Sequence, residues 1–383
     1  RSALGPVMAA SSNSPLLFGK RLWRETRVGL FQQSVDTRRT TPHMREQTPR
    51  VSFGRHWVRH SALEIFREDI ARFRSILSAP VDEDAEVALD EGRAPLLTAL
   101  RLHNSTIYRW NRACYGISDG KPHLRIENRV LPSGPTVKDE VANAALWFGL
   151  ISGIASEFGD IAGHMAFDDA KTNFFSAAQN GLSCQFHWVG GRLVPARQLI
   201  LEELLPLARH GLGESGVDGG DIDRYMGLIE ERVRSGQTGA QWTLSSLAGL
   251  GERGTRAERL ASLTAATADR QTGDQPVHLW APARLEEGGG WKQNYLTVEQ
   301  CMDTDLVTVN EHEPVDLVAQ LMDWNNIRHV LVEDDQNGLV GIVSQRAILR
   351  PLGRYSTGQM GGAMAVAGNM LTALSPGERR ASP

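Results

Sequence analysis

Cysteine is scarce in this chain. Cys114, Cys184 and Cys301 stand far apart, in an odd number and without a C-x-x-C spacing. That pattern excludes a disulfide scaffold and a thiolate metal finger, and reduced thiols in a cytoplasmic protein are the expectation. Long apolar runs are lacking too. The longest charge-free one, Val141 to Ser156, is broken by Asn143, Ser152 and two glycines. It falls short of the roughly 18–20 residues that a membrane span needs, so a buried helix is the better reading and no membrane partner is expected. No secretory leader pattern is visible. Neither sign of charge dominates: the net charge is −4, which gives no global pull towards nucleic acid. Only the first 60 residues are lopsided, with eleven Lys/Arg against three Asp/Glu. Such a basic end either faces phosphates or is simply solvated. The remainder, 383 residues at 41% hydrophobic and 22% charged, describes a globular chain of two or three domains at roughly 150 residues each.

The organising stretch is HLRIENRVLPSGPT, His123 to Thr136. His123, Arg125, Glu127 and Arg129 alternate with Leu124, Ile126 and Val130, and a period of two predicts a half-buried strand. Glu127 and Arg129 then look into the same space. A carboxylate beside a guanidinium suits a site where a hard cation meets a phosphate. It equally suits a cross-strand ion pair on a solvated face. Leu131 to Pro135 stops the strand, and Thr136 with Asp139 reads as a helix cap.

Upstream, Arg101 to Arg112 also alternates. As a strand, one face carries Arg101, His103, Ser105, Arg109 and Asn111, and the other Leu102, Thr106, Tyr108 and Trp110. With a turn over Tyr115 to Gly120, Lys121–Val130 returns antiparallel, and His103 and Arg109 come near Arg125, Glu127 and Arg129. Cys114 falls in the loop as an ordinary small buried residue.

The two blocks together, LRLHNSTIYRWNR and Glu127-x-Arg129 followed by LPSGPT, resemble the glutamate–cysteine ligase family in its bacterial type 2 form. That family also includes carboxylate–amine ligases, and its fold is related to glutamine synthetase. The loop AASSNSP at Ala9 to Pro15, read as a turn cluster, is similar to the family's SANSP loop. The helical spacing of Trp23, Arg27, Leu30, Phe31 and Ser34 is similar to its basic helix, although Arg27 also reads as a plain surface arginine. The first residues already resemble the middle of a ligase domain, so a fragment is expected.

Further along, Thr40 to Arg59 reads as loop. Ser61 and Glu64 form a capping box for a helix reaching Leu77, and the acidic run Asp82 to Asp90 reads as solvated. Helices are predicted over Val137–Phe158, from near Asp168 to Asn180, from Pro195 to His210, and over Ile222–Ser235. A hairpin forms around Gly190-Gly191. No internal repeat stands out there. Gln237 to Ala240 is similar to a family run, in which Gly239 marks either a tight approach or a plain turn. Ala281 to Tyr295 looks like a linker. Beyond it, Val298–Met302, Leu306–Val309, Val315–Met322, His329–Glu333 and Leu339–Ser344, with a last helix, give a β-α-β-β-α module. It resembles a CBS domain, a module that binds adenine nucleotides. The family's ribose signature is matched by Gly341 to Ser344, but Ala347 stands where an Asp belongs. Val366 to Pro376 resembles the opening of a second copy, after a flexible linker at Gly358 to Gly368.

The expected fold is therefore α+β, an antiparallel sheet of glutamine synthetase type with a helical second half, plus the CBS module. Residues 1–280 form the ligase-like part, 281–295 a linker, 296–352 the CBS domain, and 353–383 a linker with the truncated second copy. The resemblance implies ATP-dependent amide formation from glutamate and an amine such as cysteine, the latter a step of glutathione biosynthesis. Glu127 would hold Mg²⁺ or Mn²⁺, and Arg129 would stabilise the transferring phosphoryl group. His103, Arg109, Asn111, Arg125 and Arg27 would contact substrate or ATP, and Ser344 an adenine nucleotide. Pairing of CBS domains implies a homodimer. The family's further metal-binding carboxylates have no counterpart in this chain. The rival expectation is an inactive ligase-like protein that serves the CBS module as a sensor or scaffold.

Overall fold

The computed structural model describes residues 1–38, 49–81, 83–289, 302 and 305–355, with backbone alone for 351–355. The chain divides into two compact units, Arg1–Trp291 and Lys292–Pro383. It mixes helix with small sheets, an α+β chain, and among the described residues no sheet exceeds three strands.

The first unit opens with α1 (Leu4–Ser11), whose eight residues are all buried. Small and apolar residues all round let a helix sit inside a core. Ala9 to Ser11 therefore belong to a helix, and only Ser12 to Pro15 make the expected turn. After the tiny hairpin of β1 (Leu16–Leu17) and β2 (Lys20–Arg21) comes α2 (Thr26–Ser34). Then follow β3 (Val51–Ser52), α3 (Leu63–Arg72), α4 (Ala85–Asp90) and α5 (Thr98–Ser105). β4 (Tyr108–Arg109) pairs in parallel with β3. β5 (Asn111–Ser118) and β6 (Lys121–Asn128) form an antiparallel hairpin in full register, turned by Asp119 and Gly120, both at positive φ.

Several expectations are corrected here. Arg101 to Arg112 is not one strand but the end of α5, then β4, a buried Trp110 and the start of β5. The strand paired with Lys121–Asn128 is Asn111–Ser118, so Cys114 lies in a strand, and the turn is two residues long. Leu124 and Ile126 are 60% and 67% exposed, so the apolar face of β6 is uncovered within the described residues. α3 stops at Arg72 rather than Leu77. Phe73 turns extended (φ −120°, ψ 128°), and its carbonyl, which a longer helix would use, accepts from His103. Glu64 does cap, accepting from the backbone N–H groups of Arg59, His60 and Ser61. Asp84 caps the helix in the acidic run.

The second half is helical. Thr136 caps α6 (Val137–Phe158) by accepting from the Asp139 N–H. α7 (Phe167–Asn180) and the hairpin β7 (Gln185–Trp188) with β8 (Arg192–Pro195) follow. α8 (Ala196–Leu199) passes through a π-turn at Ile200–Leu204 into α9 (Leu205–Glu214), so this helix runs beyond His210 and Gly211. α10 (Gly219–Ser235), α11 (Gly239–Leu250) and α12 (Arg256–Thr272) complete the set. By length and composition α6 is apolar enough to cross a membrane, yet it packs within this unit. It meets α9 at Gly149, Gly153 and Gly211. A Cβ on Gly153 would run into the Leu207 carbonyl, and one on Gly211 into the backbone of Gly149 and Gly153.

Buried Arg232 of α10 ties these helices together. It donates to Asp139 Oδ1 (2.7 Å), Asn143 Oδ1 and the Ala10 carbonyl. Asp139 Oδ2 accepts in turn from the Val277 N–H at 3.0 Å. A charge at this depth is tolerated because it is paired and hydrogen-bonded. Residues 281–289, expected within a linker, are folded: Ala283 is buried, and Leu285–Gly288 forms a turn whose Leu285 carbonyl accepts from Ser262 of α12.

In the second unit β9 (Thr308–Asn310), α13 (Val315–Trp324), β10 (His329–Glu333), β11 (Leu339–Ser344) and α14 (Gln345–Tyr355) give the expected element order. β10 is central, parallel to β9 and antiparallel to β11. Its core holds Val309, Val318, Met322, Val330, Val332 and Ile348. The first predicted helix, Cys301, and the second-copy and linker readings beyond Tyr355 lie outside the described residues, Met302 apart.

Candidate functional site

The register of the β5–β6 hairpin pairs Arg112 with Glu127, Cys114 with Arg125, and Gly116 with His123. Alternation puts all six on one face. α5 is fastened to β5: Asn104 Nδ2 donates to the Ala113 carbonyl, and Arg112 Nη1 to the Asn104 carbonyl, both at 3.1 Å. Between helix and hairpin lies a cavity of about 270 Å³. Arg101, Arg112, His123 and Arg125 line it beside Cys114 and Tyr115, and no carboxylate does. Its charged side chains are all arginines, the groups that pair with anions. Gly116 is its floor. A Cβ there would meet Arg125 Nη1 at 2.5 Å and His123 Nε2 at 2.8 Å, so these two side chains lie across bare backbone, where Arg125 donates to His123 at 3.0 Å.

At one end of this face Glu127 is gripped from two sides. Arg112 Nε donates to Oε2 at 2.9 Å, and Arg129 Nη2 reaches Oε1 at 2.8 Å. Burial by itself raises the Glu127 carboxyl. Hydrogen bonding to Arg112, the charges of Arg112 and Arg129, and the Cys114 thiol outweigh it and hold the group below its ordinary value. The Arg129 guanidinium also stands 5.7 Å from the Tyr108 ring centroid, a cation–π distance.

The loop after Arg129 is held by the turn after α1. Arg27 donates to the carbonyls of Arg129 (3.0 Å) and Val130 (2.7 Å), while its Nε reaches Glu25 at 3.2 Å. Fully buried Glu25 also accepts from the Asn13 N–H and the Ser14 hydroxyl. Asn13 Nδ2 donates to the Ser133 carbonyl at 2.7 Å. Gly239 packs so closely that a Cβ would strike Asn13 Oδ1 and Pro135. Gly239 is thus a tight approach, not a plain turn. The Ala240 N–H donates to the Ser12 carbonyl nearby. Three segments separated widely in sequence form one frame.

Of the residues expected to share a pocket, Arg125, Glu127 and Arg129 do lie along this hairpin and the loop after it. Arg27 meets them through backbone carbonyls. His103 sits on α5 and bonds the Phe73 carbonyl at 2.9 Å. Arg109 is turned away and buried, paired with Asp69 and Glu68 of α3. Those two are not brought to Glu127, because β4 and β5 diverge at Trp110 and only β5 pairs with β6. Asn111 faces Asn128 on the opposite side of the hairpin, its Oδ1 buried without a partner. Ser344 caps α14, accepting from the Ala347 N–H at 3.2 Å. Sequence reasoning passed over Arg112, Arg101 and Glu25. Arg112 emerges only from the register that sets it opposite Glu127.

Among the described residues no three His, Cys, Asp or Glu groups gather as a metal cage. Glu127 is a hard anionic oxygen donor, but each of its oxygens is paired with an arginine, so a Mg²⁺ there would have to draw most of its ligands from phosphate oxygens and water.

Comparison with known proteins places the chain in a family. The family described as glutamate-cysteine ligase family 2 matches residues 1–266, and the CBS domain matches residues 298–354. Over 61 residues, 16% of this chain, the sequence is 44% identical to L-aspartate semialdehyde sulfurtransferase of Methanocaldococcus jannaschii. The match spans 12% of that protein's length. With the family model covering residues 1–266 of the 383, the chain belongs to glutamate-cysteine ligase family 2 and carries a CBS domain.

Proposed function

We propose that the protein containing this chain is an ATP-dependent carboxylate–amine ligase that forms an amide through an acyl phosphate. One observation carries the reading: the Arg112–Glu127–Arg129 cluster, whose Arg112 also lines a carboxylate-free cavity together with Arg101 and Arg125. The side-chain carboxylate of glutamate attacks the γ-phosphate and ADP leaves, giving the acyl phosphate; an amine such as that of cysteine then attacks the acyl carbon, losing a proton as phosphate departs. Such a transfer spreads negative charge over oxygens, so it needs fixed positive charge and positioning rather than covalent chemistry. Arg129 and Arg112 supply that charge. Arg125 with His123 holds an anionic group of the substrate, and Arg27 fixes the loop on which Arg129 sits. Glu127 would ligate Mg²⁺ or Mn²⁺, which supplies neutralisation of the phosphate charge when bound. His103 and Arg109 act on the frame, by locking α5 and α3. We further propose a cytoplasmic location and pairing of the CBS module with a second copy, through a sheet face where Leu339, Val340 and Ile342 are exposed.

A second reading has its own support. Glu127 is already occupied by two arginines, and Ala347 leaves the ribose of an adenine nucleotide without its acceptor. On that reading the ligase-like unit is inactive and scaffolds the CBS module. Phosphate release from the full-length protein, assayed with ATP, glutamate and a panel of amines, separates the two. Release that depends on particular acid–amine pairs is the expected result. A melting shift with AMP or ATP and no turnover with any pair overturns the ligase reading.

A further inference from the structure

His123 stands outside the Arg112–Glu127–Arg129 cluster, yet it lines the arginine-rich cavity with its ring held in one state. Arg125 Nη1 is 3.0 Å from His123 Nε2. A guanidinium has only N–H groups to offer and stays charged at any pH a folded protein meets. The imidazole nitrogen is therefore the acceptor, the ring is neutral, and its proton sits on Nδ1. Both side chains lie across the bare backbone of Gly116, where a Cβ would meet them at 2.5 and 2.8 Å. The pair is thus kept at the cavity wall rather than spread into solvent.

The charged groups that face this ring are all cations. β6 adds Arg125 and, further along the same face, Lys121; β5 adds Arg112, the Cys114 thiol and the Tyr115 phenol; α5 adds Arg101; the residue from α3 is uncharged. The phenol is spent on the Pro95 carbonyl at 2.7 Å, and Arg112 is matched by Glu127. Arg101 and Arg125 pair with no carboxylate among the described residues, so their charges stand uncompensated beside the ring. The cavity, about 270 Å³, falls just under the roughly 300–1,000 Å³ of drug-sized pockets. That size suits a small oxyanion or the anionic end of a larger molecule.

We infer that an oxyanion enters this cavity together with a proton, which His123 takes up at Nε2; this rests on the reading above that Arg125 and His123 hold an anionic group of the substrate. Arg125 turns its N–H from the ring to the anion, the stronger acceptor. The Nε2 lone pair then faces an oxygen that is itself an acceptor. A proton from water or buffer forms an N–H bond there, and the imidazolium donates it to the oxyanion while the Nδ1–H bond stays as it was. Moving the ring's own proton from Nδ1 to Nε2 would give a neutral hydrogen bond. The added proton gives a charge-assisted one, in a cavity that no carboxylate lines. An imidazole gains a proton more readily beside an anion than beside cations. Affinity for the anion accordingly rises as pH falls from 8 to 6, whereas a site made of arginines alone is indifferent to pH over that range.

The test titrates sulfate, fully ionised across this range, into the full chain by calorimetry. Near neutral pH, titrations in two buffers with different heats of ionisation count the protons taken up. The expected result is about half a proton or more per sulfate, and binding at least about fivefold tighter at pH 6 than at pH 8, as linkage requires. Arg101→Gln, at an exposed position, should weaken sulfate binding about tenfold, because a charge-assisted bond is lost; sulfate held elsewhere on the chain is indifferent to it. His123→Gln keeps a hydrogen-bonding group for Arg125 but cannot titrate, so proton uptake and pH dependence should both vanish. Equal heats in the two buffers, uptake that survives in His123→Gln, an affinity unmoved by Arg101→Gln, or no sulfate binding at tens of millimolar overturns the proposal. The parent's buffer comparison decides it should a variant not fold. Displacement of sulfate by glutamate marks a carboxylate as the natural occupant, and displacement by tripolyphosphate a phosphate; displacement by neither overturns the link to the substrate. The two readings fail separately. Proton-coupled sulfate binding without phosphate release on any acid–amine pair keeps the coupling and removes the ligase. Turnover whose KM values for acid and ATP are flat from pH 8 to pH 6 does the reverse.

Discussion

The Arg27 guanidinium donates to the backbone carbonyl of Arg129 at 3.0 Å, across 102 positions of sequence. A residue expected to touch substrate instead holds the backbone of Arg129, and the same fork reaches the Val130 carbonyl and Glu25. Replacing it with leucine leaves two carbonyls short of a donor and the buried Glu25 carboxylate without its cation. Hydrogen bonds to charged groups are worth about 1.5–3 kcal/mol each, and water recovers part of that at a half-exposed side chain. Arg27→Leu is expected to lose about 1–3 kcal/mol in urea denaturation. Arg27→Lys recovers only a fraction, because one ammonium cannot span three acceptors. An unchanged midpoint in both variants removes this role.

The arginines around Glu127 make a prediction about acid. Its carboxyl is held below the ordinary value of 4.5, against the effect of burial, by Arg112 first and then Arg129. A folded-state value below the unfolded one means stability that is fully present above the unfolded value and lost as pH falls through the folded one. Arg112→Met removes the main depressing partner and leaves burial in place. The Glu127 carboxyl should then titrate higher, and the acid-side loss of stability that this group contributes should shrink, because that loss is set by the gap between its unfolded and folded values. Carboxyl carbon chemical shifts followed against pH read this directly, and an unmoved titration contradicts the pairing.

What the sequence disclosed and what it hid divide along physical lines. α6, α7, the β7–β8 hairpin and α10 have long periodic patterns with clear caps, such as Thr136 before α6 and Gly236 after α10. The second unit was equally readable from its short strands and the Asn337-Gly338 turn. α5 was hidden because LRLHNST alternates like a strand. It is only eight residues long and starts after Leu97 in a left-handed conformation with no capping side chain, so nothing announced it. That one error placed His103 and Arg109 beside Glu127. The true charge partner, Arg112, became visible only once the register of β5 against β6 was known. The polar face itself was legible, because a period of two survives whichever strand it is paired with.

The α6–α9 contact predicts a packing defect of known sign. Gly153 and Gly211 bring two helix backbones together, and a methyl group on either would overlap carbonyl or amide atoms that cannot rotate away. Overpacking a tight core costs about 1–3 kcal/mol, and more where backbone must move. Gly153→Ala should therefore lower the thermal midpoint, although alanine is the better helix former by about 1 kcal/mol. Gly227, on α10 with open space at its Cβ position, is the control: Gly227→Ala should hold or raise the midpoint. Equal behaviour of the two variants would show that the helices are not in contact at Gly153.

Arg129→Lys tests the chemistry proposed for the hairpin. Lysine keeps one positive charge, so the Glu127 pair survives in part, and the Arg129 carbonyl held by Arg27 is backbone and does not change. Folding should be spared, with a midpoint shift within about 1 kcal/mol, as for a partly exposed ion pair. What lysine lacks is the planar fork that holds Glu127 and leaves further N–H groups for phosphate oxygens. Removing one preorganised donor to a developing negative charge costs on the order of 3–4 kcal/mol of barrier, roughly a hundredfold or more in rate. In the full-length protein kcat should fall by at least about that factor, while the KM for the amine moves little. Because the fold is kept and the charge is kept, only the loss of directed hydrogen bonds can produce that split. Turnover near the parent's value would mean that Arg129 serves Glu127 and nothing else.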